Sequence, residues 1–146
     1  MNATSFAGDV ATRLQAADIH GAVLVKSTPE SSNFGDTGVI FRVGPLLLRF
    51  VRERGQEFVD VSTISMPQKF HQLVDVEVAM GWRSIDQVLA RREPEPLDQI
   101  LIRLKGHLQE LGDALSNEHQ DTTRASIESS AKERSRIFIE KIRPKR

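Results

Sequence analysis

The spacing of apolar residues changes along the chain, and each change predicts a different element. Residues 4 to 18 place Phe6, Val10, Leu14 and Ala17 on one helical stripe, with Thr4 or Ser5 as N-cap and Gly21 as the left-handed stop after His20. From Ala22 to Ser65 the period falls to two and β-branched and aromatic residues become frequent. Ala22–Val25 reads as a short strand, followed by a polar loop from Ser27 to Asp36. The segments Val39–Val43, Leu46–Glu53 and Gln56–Thr63 follow, punctuated by Gly44-Pro45 and Arg54-Gly55.

Pairing arithmetic tests this meander. With Arg54-Gly55 as a two-residue loop, opposed positions add to 109; Phe50 faces Val59, Leu48 faces Val61, Arg52 faces Glu57 and Arg49 faces Asp60. With Gly44-Pro45 as the other turn, positions add to 89 and Val43, Phe41 and Val39 meet Leu46, Leu48 and Phe50. Both registers put Val39, Phe41, Val43, Leu46, Leu48, Phe50, Val59 and Val61 on one face. A one-residue slip would turn them all outward. The opposite face carries Ile40, Arg42, Leu47, Arg49, Val51, Phe58 and Asp60, whose apolar members Leu47, Val51 and Phe58 form an uncovered strip.

Residues 68 to 80 admit a strand, from the alternation of Val74, Val76, Val78 and Met80, or a helix with Phe70, Leu73, Val74, Val76 and Met80 on a broad stripe. Pro67-Gln68-Lys69 as a first turn and Gly81 as a stop favour the helix. Ser84 then caps a short helix that buries Ile85, Val88 and Leu89. From Pro96, Leu97, Leu101, Leu104, Leu108, Leu111 and Leu115 mark one amphipathic helix to about Ser116, and core packing explains it better than a coiled coil. The last segment, Glu118 to Arg146, is a polar helix with Ile127, Ala131, Arg134, Phe138 and Ile142 on a thin stripe. The expected architecture is α+β: an N-terminal helix, an antiparallel meander of about four strands, and C-terminal helices packed on one sheet face. Residues 1–117 form the core domain, and residues 118–146 a basic helix attached to it.

Charge changes the picture only at that end. From Lys132 onward seven basic residues stand against Glu133 and Glu140, whereas residues 1–131 hold 13 basic and 18 acidic, so a neutral chain divides into a +5 tail and a −5 body. The tail supports an alternative, nucleic-acid-associated reading through phosphate contacts, although Phe138 is its single aromatic residue. The first residues have neither the basic start nor the apolar run of a signal peptide, and Leu46-Leu47-Leu48 stops at Arg49, so the expectation is a cytoplasmic protein without a membrane span.

Candidate chemistry is sparse. The absence of cysteine excludes thiol nucleophiles and thiolate metal sites, and His20, His71, His107 and His119 have no metal-ligand spacing. Neither a Gly-x-Ser-x-Gly elbow nor a phosphate loop is present. No catalytic residues, metal or cofactor are therefore assigned. Arg49, Arg52 and Arg54 with Glu53, Glu57 and Asp60 make the densest charged patch, read either as cross-strand ion pairing or as a charged recognition edge. Trp82 after Gly81 is a lid on the core or an interface anchor. The candidate binding residues are Arg49, Arg52, Arg54, Phe58, Asp60 and Trp82, and the partner is another protein or a second copy of the chain.

One stretch resembles a known pattern. Ser32-Asn33-Phe34-Gly35-Asp36, Gly38–Phe41, Leu48–Gln56 and Val59-Asp60-Val61 are similar to segments of small bacterial proteins, among them immunity-type proteins encoded beside polymorphic toxins; the likeness covers about 30 residues and loosens around Val76 to Trp82. The resemblance implies a non-catalytic protein that binds a cognate toxin. It carries over no binding residue, because that interface differs from member to member.

Overall fold

A computed structural model of the chain describes residues 6–27, 37–53, 56–91, 95–116, 118 and 120–142. Helix α1 (Phe6–Ala16) turns Phe6, Val10 and Leu14 inward. Its expected caps Thr4 and Ser5 lie outside the described residues. The helix stops earlier than expected, at Asp18 rather than at Gly21. Asp18 takes φ 64°, Ile19 donates its amide to the Leu14 carbonyl at 2.9 Å, and Asp18 donates to Gln15. Aspartate tolerates the left-handed region better than most residues, and burying Ile19 beside Leu14 closes the turn.

The sheet has five strands: β1 (Val23–Ser27), β2 (Thr37–Val43), β3 (Leu46–Glu53), β4 (Gln56–Thr63) and β5 (Met66–Gln72), all antiparallel and in sequence order. Both central registers match the arithmetic: Phe41 opposes Leu48, Leu48 opposes Val61, Phe50 opposes Val59 and Arg49 opposes Asp60. Seven of the eight residues on the expected inner face are buried, and Val43 packs partly buried against them. Strand β1 is exposed throughout, with a break in register between Leu24 and Lys26.

The expectation for residues 68–80 needs correction. Met66–Gln72 is the fifth strand, and the helix α2 (Leu73–Ala79) begins only where the strand ends. Pro67 is tolerated there because β5 lies at the sheet edge, where a missing amide donor breaks no ladder on the open side. The alternating valines belong to α2, where Leu73 and Val76 are buried and Glu77 is drawn inward with them. Gly81 ends α2 as expected, at φ 79° and with the Trp82 amide donating to Glu77. Helix α3 (Ile85–Ala90) starts with a reciprocal cap between Ser84 and Gln87, but Ile85, Val88 and Leu89 are only partly buried.

The leucine helix is in fact two, α4 (Leu97–Lys105) and α5 (Leu108–Ser116). Gly106 loosens the backbone, and His107 donates to Leu104 in a tightened turn. The leucine stripe continues across the break: Leu97, Leu101, Leu104, Leu111 and Leu115 are buried. Gly112 lets α5 approach the β2–β3 turn, since a Cβ there would lie 3.2 Å from Pro45. Helix α6 (Gln120–Ile142) packs on α2 and α5, burying Arg124 and Ile127 while Phe138 stays exposed. Among the described residues, no helix is long and apolar enough to cross a membrane.

Candidate partner-binding groove

The densest charged patch of the sequence separates onto two faces. Arg52 shares the parity of Phe50 and points to the helix side, where it donates to Asp9 of α1 and to Glu57, each at 3.0 Å, with its guanidinium 4.5 Å above the Phe6 ring. Arg13 also reaches Glu57, at 3.3 Å. Arg49 points the other way, bonding Asp60 at 2.8 and 3.1 Å and lying 4.1 Å over the ring of Phe70 from β5. Arg54 lies outside the described residues. The opposite face is also less open than expected: Leu47 is buried and Val51 half-buried, leaving Phe58 exposed.

What turns this face into a concavity is the departure of β5. The β4–β5 ladder runs from Thr63–Met66 to Asp60–Gln72 and ends there, because the chain turns into α2 at Leu73. Among the described residues, no strand pairs the outer edge of Gln56–Val59. That edge opens into a groove of about 720 Å³ between the sheet, α2, α3 and the start of α4. Phe58, Phe70, Val74 and Val88 supply its apolar surface, with Arg49 and Asp60 at its floor.

The far wall is held by a compact ion cluster. Glu77, nearly fully buried on α2, accepts from Arg83 at 3.3 Å and from Arg103 of α4, and Glu95 binds the same Arg103 through both oxygens at 2.6 and 2.8 Å. Two arginines thus neutralise two carboxylates in a setting where any one unpaired charge would be costly. The hydrogen bonds from Arg103 hold the Glu95 carboxyl below its ordinary value, and the same bonds raise the Arg103 guanidinium. Asp60, Glu57, Glu77 and Glu95 are each paired with arginine, so the groove presents apolar surface, strand backbone and polar side chains such as Glu53 and Gln56.

Of the sequence candidates, Arg49, Phe58 and Asp60 line the groove; Arg52 and Trp82 do not. Trp82 packs partly buried against the core and stacks on His107, with centroids 3.9 Å apart and planes at 16°. Sequence reasoning missed Phe70, Arg83, Glu77, Glu95 and Arg103. Phe70 was hidden by the helix reading, and the Glu77–Arg103 pairing spans 26 positions with no local spacing to reveal it. No family profile matches the chain, and no curated protein or solved structure is significantly similar to it.

Proposed function

We propose that this is a non-catalytic protein-binding module that receives an extended segment of a partner along the outer edge of β4. The observation that carries this reading is the edge of Gln56–Val59, unpaired among the described residues, facing a groove with exposed Phe58 beside it. A strand edge offers alternating amide and carbonyl groups, which suit the backbone of another polypeptide, while alternate side chains of the visitor meet Phe58 and Phe70. The likeness to immunity-type proteins supports a toxin domain met in the cytoplasm as that partner. The nucleic-acid alternative draws less support, because Arg134 is bound to Asp75 and Arg136 to Glu133 and Glu140 within the chain.

The test is co-purification from the native host, followed by titration of the recovered partner and amide exchange on the complex. Slower exchange is expected at Gln56–Val59 on binding, with affinity about tenfold or more weaker for Phe58→Glu and unchanged for Phe138→Glu on α6. Equal binding by Phe58→Glu, or a purified chain that recovers no partner and turns over a small molecule, overturns the reading.

A further inference from the structure

A second polar cluster lies across the sheet from the groove, where α6 meets the β4–β5 hairpin. The alternation of β5 turns His71 to the helix-covered face opposite Val61, and Arg124 of α6 is inserted against it. One guanidinium nitrogen lies 3.2 Å from His71 Nε2, another donates to Thr63 Oγ1 at 2.9 Å, and the enclosed Nε has no hydrogen-bond partner. Arg124 is 3% exposed and His71 8%; among the described residues, no carboxylate forms an ion pair with Arg124. Arginine keeps its charge, so the contact requires His71 Nε2 to accept: the ring is neutral, with its proton on Nδ1.

We propose that protonation of His71 releases the N-terminal part of α6 from the β4–β5 hairpin, so that acid loosens this helix while the sheet stays intact. A second ring proton converts the acceptor into a donor and sets two cations against each other in a buried site. Neighbouring charges do not cancel this. Lys69 on β5 adds positive charge but is tied to Glu128 at 2.9 Å; Glu128 on α6 and Asp75 on α2 oppose it, and Asp121 on α6 acts on Arg124. Burial first, and Arg124 second, hold the His71 ring below its ordinary value of 6.5. The undocked state takes up the proton more readily, so docking is complete above that value and weakens as pH falls through it towards the folded one. Near the middle of the helix Arg134 remains bound to Asp75 at 2.7 Å, keeping α6 tethered.

Amide exchange tests this on the full chain, compared between about pH 7.5 and about pH 5 as protection relative to the intrinsic rate. Amides around Arg124 and Ile127 should lose protection several-fold in acid while those of the β2–β3 ladder hold, and His71→Gln, which accepts but does not titrate, should abolish the difference. An NMR titration of the His71 ring in the unmodified chain should report a value below 6.5. Titration at or above that value, a parallel loss across sheet and helix, or an unchanged acid response in His71→Gln overturns the proposal.

Discussion

Two arginine clusters, one at the β3–β4 hairpin and one between α2 and α4, use the same chemistry to different ends. The side chains of Arg49 and Asp60 are 40% and 14% exposed, whereas those of Arg103 and Glu77 are 26% and 3% exposed. Water screens the first pair and can replace either member, so its net contribution is small. In the second, losing Arg103 leaves the enclosed Glu77 with only the longer Arg83 contact at 3.3 Å. The hairpin cluster can therefore be altered at little cost to the fold, while the α2–α4 cluster fixes the groove wall.

Substitutions should rank in that order. Arg103→Met is expected to destabilise the chain by about 3–5 kcal/mol, because Glu77 loses its principal partner inside the protein. A denaturant midpoint measures this, and restoration by adding Glu77→Leu would assign the loss to the stranded carboxylate. Arg134→Ala comes next, at about 2 kcal/mol, since Arg134 pairs with one buried carboxylate, Asp75, whereas Arg103 bridges two. Arg49→Ala should cost about 1 kcal/mol or less, including its contact with the Phe70 ring. Arg136→Ala, fully exposed on α6, should leave the midpoint unchanged; a shift as large as that of Arg134→Ala would break the comparison.

Acid sharpens the contrast. Glu95 is held below its ordinary value of 4.5 chiefly by Arg103, so its contribution is complete above that value and is lost as pH falls through the folded one. The acid limb of a stability profile should flatten in Arg103→Met and persist in Arg49→Ala.

The central ribbon was legible because three segments with period two, joined by Gly44-Pro45 and Arg54-Gly55, allow only one register that hides Phe41, Leu48 and Val61 together. The fifth strand was not, because Pro67, Gln68 and Lys69 at an edge show little apolar alternation and look like the first turn of a helix. The groove exists only because β5 stops at Gln72, and its wall joins residues far apart in sequence, so no local pattern marks it. Arg49 and Arg52 seemed one patch because they are close along the chain; strand parity sends them to opposite sides of the sheet.

The irregular first strand has a consequence for self-association. Val23, Leu24 and Val25 are greasy, uncovered and at the rim, the combination that invites a neighbouring molecule to lie alongside and extend the sheet indefinitely. The skipped step between Leu24 and Lys26 kinks that rim, so a second copy could align with only a few residues before losing step. The margin along β1 is thereby less suited to stacking into fibres than a regular strand of the same residues would be.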